Sequence, residues 1–200
     1  ALPCCVVTIC LDGFHYSQRF GLSYPEMPDW PARSERMVID GKIVPESDAH
    51  AVFDILDLIY TLLTEAAEPV DAGKPWKTAN AKALDGISLR AWLENTTRSA
   101  TFRTRLSASK ALTDTKNWPR RLDIAKKAFA AQLGADNGKD IEVQSLLGML
   151  TVIKGHGLEA FWTESEVYRC MQGNDALAAA FVKQIGADRI HLETAAETVT

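Results

Sequence analysis

The sequence predicts an α+β fold, mostly helical with a small antiparallel sheet. Three observations carry this expectation. From about residue 47 to 186, apolar residues recur at intervals of three and four, the period of helices with one buried face. Asp40-Gly41 stands between two short β-branched runs, the pair wanted by a two-residue type I′ turn, whose central residues both need positive φ. The one stretch with a phosphate-loop pattern, Gly155-His156-Gly157-Leu158-Glu159-Ala160, follows an apolar run of helical rather than strand period.

Each element follows in order. Pro25, Pro28 and Pro31 make residues 20–35 an irregular connection. The hairpin comes next. Ser47 or Asp48 then caps a helix carrying Val52, Phe53, Leu56, Ile59, Tyr60 and Leu63 on one face, stopped by Pro69. Ser88 caps a second helix with Leu89, Trp92 and Leu93. Helices over 98–112 and 121–133 are separated at Trp118-Pro119, because the residue before proline avoids the α region. After a loop with two glycines, Asp140 caps a helix over 141–154. Its stripe is Val143, Leu146, Leu147, Leu150 and Ile153, with Lys154 in the last turn and Gly155 as a left-handed cap. Asn174 or Asp175 caps an alanine-rich helix ending at Gly186, and residues 189–192 read as a strand.

A formal net charge of -4 argues against a nucleic-acid footprint, which is strongly basic. The local cluster Lys110, Lys116, Arg120, Arg121, Lys126 and Lys127 has no aromatic interleaving and reads as solvated surface. No apolar run reaches the roughly 18 residues of a membrane span. Cys4, Cys5, Cys10 and Cys170 lack a zinc spacing. The apolar start ALPCCVVTIC has neither a basic n-region nor a Met, so the chain reads as part of a longer or processed protein.

The series VIDGK before a long helix, Pro75-Trp76, the S-L-x-x-W-L segment 88–93, D-x-E-V-x-S-L-L at 140–147, a Gly-rich turn, YRCMQGNDALAAAF and DRIHLET resembles the central part of the flavin-dependent amine oxidases. That family includes monoamine, polyamine and L-amino-acid oxidases, and the resemblance covers about residues 17–200. It implies a substrate domain threaded through the middle of a chain whose two ends build the FAD-binding part. The division read from it is an irregular connection over 1–36, a hairpin plus helical substrate domain over 37–186, and a strand over 187–200 leading toward FAD. Neither the Rossmann G-x-G-x-x-G unit nor the C-terminal flavin segment is in this sequence. Gln172-Gly173 stands where the family has Gly-Gly.

The implied reaction is oxidation of an amine or amino-acid C–N bond by hydride transfer to flavin, with imine hydrolysis and reoxidation by dioxygen. The implied cofactor is FAD, and a homodimer of the complete enzyme is left open. The alternative class is a non-enzymatic helical protein-interaction domain.

Trp162, Glu164, Glu166 and Tyr168 alternate. If extended, they share one face, and aromatic walls with a carboxylate suit a cationic amine. The plain alternative is a polar edge strand with two solvated acids. Arg169 falls on the opposite face. His156 reads as an exposed turn residue or a gate, and His191 as structural. Ala196 matches the position whose backbone meets the adenine end of FAD. No catalytic acid, base or nucleophile constellation is visible.

Overall fold

Residues 46–67 contain neither glycine nor proline, and they form the longest element, helix α2 (Glu46–Ala67). The computed structural model describes residues 11–26, 36–107, 117–164, 167–173 and 175–198. Its other elements are α1 (Leu11–Arg19), β1 (Val38–Ile39), β2 (Lys42–Ile43), α3 (Ala81–Asp85), α4 (Leu89–Arg98), α5 (Ala100–Ser107), α6 (Trp118–Asp136), α7 (Leu146–Gly155), α8 (Glu159–Thr163) and α9 (Ala176–Ile185). The described fold is mostly helical with one two-stranded antiparallel sheet, as expected. The chain divides into two compact units, Ala32–Trp162 and the joined flanks Ala1–Pro31 and Thr163–Thr200. These boundaries differ from the 1–36, 37–186 and 187–200 division drawn from the sequence.

In the middle unit, Asp40 (φ 51°) and Gly41 (φ 71°) turn the hairpin, so Val38 pairs with Ile43 and Ile39 with Lys42. Pro45 occupies the N-cap of α2, and the cap expected from Ser47 or Asp48 is not made. The Asp48 carboxylate is spent elsewhere. It is buried and accepts from Arg121 Nε (2.8 Å) and from Arg120, which ties the start of α2 to the start of α6. Lys126 pairs with Glu94 and Lys127 with Asp40. The basic cluster is therefore a set of ion pairs with one buried member, Arg121, rather than plain solvated surface. Lys110 and Lys116 lie outside the described residues.

The face of α2 buries Val52, Ile55, Leu56, Ile59, Leu63 and Ala67 against α5, α6 and α7. Each fully buried aliphatic side chain there stabilises by about 1.5–3 kcal/mol. Phe53, expected on that face, is not part of the buried stripe and is 40% exposed. Phe129 and Leu133 of α6 and Leu150 and Ile153 of α7 complete the cluster.

Other boundaries differ from expectation. Pro119 does not break a helix; it sits in the first turn of α6, where the missing N–H is not needed. The expected 98–112 helix starts at Ala100, with Ser99 Oγ accepting from the Phe102 N–H (3.0 Å); its last residues lie outside the described range. Asp140 does not cap α7. Residues 140–146 give their backbone to a neighbour instead: the Leu89 N–H donates to the Gln144 carbonyl (2.9 Å), Arg90 to Ile141 (3.0 Å) and Leu146 to Ile87 (2.9 Å). Val143 is accordingly 70% exposed.

Ser145 is the true cap, accepting from the Gly148 N–H (3.1 Å), and Ser88 caps α4 in the same way. These two serines face each other in an antiparallel bridge, so α4 and α7 start from one shared point. Gly155 is the last helical residue of α7, not its left-handed cap. That conformation falls later, at Gly157 (φ 88°) and Leu158 (φ 60°), and Leu158 packs against the core.

In the flanking unit, Tyr16 of α1 and Phe20 in the turn after it meet Phe181 of α9 at ring distances of 4.9 and 5.0 Å. Residues 168–171 run antiparallel to 23–26: Tyr168 bridges Glu26, the Arg169 N–H donates to Pro25 (3.3 Å), and Met171 to Ser23 (3.0 Å). The strand expected over 189–192 is not formed. Ala187–Arg189 is a 3-10 turn begun by Gly186 (φ 91°), and no described residue offers residues 190–192 a pairing edge.

Candidate functional site

The alternation expected from Trp162 to Tyr168 does not begin at Trp162. Glu159–Thr163 is helical, so Trp162 is not in an alternating strand. Its environment is the middle unit. The indole N–H donates to Thr64 Oγ1 (2.7 Å), and the ring lies 4.6 Å from Tyr60 and 4.7 Å from Phe161. Tyr60 in turn lies 5.7 Å from Phe129, and its hydroxyl donates to Gln132 Oε1 (2.6 Å). The result is an aromatic lock in which α8 is held onto α2 and α6. Burial, with the Asp136 carboxylate as a second cause, pushes the Tyr60 phenol up to about 12.

Glu164 is exposed in the turn after α8, and Glu166 lies outside the described residues. Extended geometry holds only further on. Tyr168 is half-buried, Arg169 exposed and Cys170 buried, the alternation of a one-sided strand. Arg169 thus does face away from Tyr168. Under this strand the Cys170 thiol faces Gln172 Oε1 (3.7 Å), which also accepts from the Ser23 N–H (3.2 Å). Burial raises the Tyr24 phenol above its ordinary value, opposed by a hydrogen bond with Ser17 and reinforced by Cys170.

The sequence reading missed this pairing because its partner, Ser23 to Glu26, sits in a proline-bearing stretch. Pro25 is tolerated there because the bond made at that position uses its carbonyl, not the N–H it lacks.

His156 is exposed, its ring nitrogen 3.0 Å from the Val152 carbonyl and its ring edge-on to Phe161. Ala196 is exposed in irregular chain. Gly155–Ala160 is the end of one helix and the start of another, not the strand-to-helix loop that cradles a dinucleotide pyrophosphate. No group of three metal-ligating side chains converges among the described residues.

A cleft of about 330 Å³ lies between the hairpin and α6, with Ile39, Val44 and Ile124 as apolar lining and Lys42, Arg120 and Lys127 as cations. Arg120 and Lys127 are already engaged by Asp48, Asp40 and Asp123. No described helix is long and apolar enough to cross a membrane. Compared with known proteins, the chain matches no family model, and no curated protein matches it.

Proposed function

We propose that the chain is part of an FAD-dependent amine or L-amino-acid oxidase, in which residues 32–162 supply the helical wall of the substrate cavity. What supports this is the division of the chain. A middle stretch forms one unit, while the two flanks join in the other. The resembled family threads its substrate domain through the middle of a chain whose ends build the FAD-binding part. The order of elements adds weight: a hairpin, a 22-residue helix, and the serine-capped helices α4 and α7 follow as in the resemblance.

In this proposal the substrate is a small amine or amino acid. Trp162 acts as a positioning residue through its packing on Tyr60 and its bond to Thr64. FAD supplies acceptance of electrons from the C–N bond. The residues of this chain orient and enclose the amine.

The test is to purify the complete gene product, read its flavin absorbance, and follow peroxide release with primary amines, polyamines and L-amino acids. Bound flavin with peroxide from one of these classes is expected. The 200-residue chain alone is expected to hold no flavin, since its glycine run is not a phosphate loop. A gene product without flavin, inert toward all three classes, would sink the proposal and leave a helical protein-interaction domain in its place.

A further inference from the structure

Residues 71–78 form a loop stapled at its base and presenting a tryptophan at its tip. At the base, the Asp71 N–H donates to Thr78 Oγ1 (3.0 Å). The Asp71 carboxylate accepts from the Gly73 and Lys74 N–H groups (3.0 Å each), and the Lys77 N–H closes the tip on the Lys74 carbonyl (2.8 Å). Val70 and Thr78 are buried, which fixes the ends of the loop in the middle unit. Pro75, with φ preset by its ring, opens the 3-10 turn Pro75–Lys77.

The tip itself stands in water. Trp76 is 70% exposed, and Lys74 and Lys77 beside it are exposed. Among the described residues neither lysine has an ion-pair partner.

A large aromatic held in solvent on an ordered loop loses little further freedom when something covers it. A protein partner is disfavoured by size. A stable interface buries about 800 Å² per side, whereas a tryptophan offers about 200 Å². Within the loop, residues 71–78, Trp76 is the one large hydrophobic, and it is exposed. A lipid headgroup layer asks for less, because one indole settles at its level and adjacent lysines meet its charge. The charge at the tip is local: Lys74 and Lys77 flank Trp76, while the Asp71 carboxylate is tied to the base of the loop by the Gly73 and Lys74 N–H groups.

We propose that this loop docks the protein peripherally on anionic lipid surfaces, with Trp76 entering the headgroup layer and Lys74 and Lys77 meeting lipid phosphate and carboxylate. The proposal is independent of the oxidase assignment. It is tested by flotation of the full chain with phosphatidylcholine vesicles carrying about 30% phosphatidylserine, a composition that supplies the negative surface potential. Pure phosphatidylcholine vesicles and single-stranded RNA are the comparison ligands.

The chain is expected to float with the anionic vesicles and be released by salt. Trp76→Ala should abolish flotation. Each lysine near the surface is worth about fivefold in binding, so Lys74→Gln with Lys77→Gln should weaken it about 25-fold. The lysine pair stands in solvent and leaves the thermal midpoint unchanged, so its loss of binding cannot be a folding defect. Equal flotation with neutral vesicles, full flotation of either variant, or binding to RNA but not to anionic vesicles would each overturn the proposal.

Discussion

Tyr60 shows how one side chain ties folding to pH. Its phenol is pushed from an ordinary value of 10 up to about 12, first by burial and then by Asp136. The protonated, neutral form is the one the folded state holds. Between pH 10 and 12 the folded chain keeps a proton that the unfolded chain has released, so stability falls as pH rises. The contribution is fully present below about pH 10 and is lost as pH passes the folded value, a swing of about 2–3 kcal/mol for a shift of this size. Tyr60→Phe removes both the ionisation and the hydrogen bond to Gln132. At neutral pH the variant should be less stable by about 1 kcal/mol, the usual net worth of such a bond. Above pH 10 the gap should close and then reverse. Urea unfolding of both proteins across pH 8–11.5 measures it, and a constant gap would show that the phenol titrates in solvent.

Among elements, what the sequence revealed and what it concealed have separate physical causes. The hairpin was legible because Asp40-Gly41 solves a purely local problem of positive φ. The stripe of α2 and the cap at Ser88 were legible for the same local reason. The start of α7 was not, because what stops residues 140–145 from being helical is a set of backbone bonds to residues 87–90, more than 50 positions away in the chain. Helix α8 was mistaken for a strand because five residues are too few to display a helical period, and FWTESEVY alternates by composition. Of the proposed site, the Tyr168 and Arg169 alternation was readable; the bond of Trp162 to Thr64, 98 residues away, was not. The cap assignment has a direct check. Ser145→Ala removes the acceptor for the Gly148 N–H and the hydroxyl donor to Asp85 (2.7 Å), so it should cost about 1–2 kcal/mol. Asp140→Ala should change stability by less than about 0.5 kcal/mol, as surface substitutions do. Thermal unfolding of the two variants decides between the caps, and the reverse order would restore Asp140.

At the scale of the whole molecule, the two units differ in how they are held. Apart from Cys170, every buried hydrophobic among the described residues, from Val44 to Ile153, belongs to the middle unit. In the flanking unit, α9 buries none of its residues fully, and Val182 and Ile185 face solvent. What joins α1 to α9 is an aromatic contact of half-buried rings, and what joins 168–171 to 23–26 is a short ladder. Opening free energy follows buried apolar contact, so local unfolding should be cheap in the flanks and approach the global value in α2 and α7. Amide hydrogen exchange of the intact chain reads this directly. The amides of residues 55–63 and 150–153 should exchange last, those of 176–185 early, and those of 168–171 between them, since their bonds are paired but thinly covered. Any agent that covers the flanking unit should slow α9 without altering α2. If α9 instead exchanges as slowly as α2 in the chain by itself, the two units unfold as one, and the division of the chain that supports the oxidase proposal loses its energetic meaning.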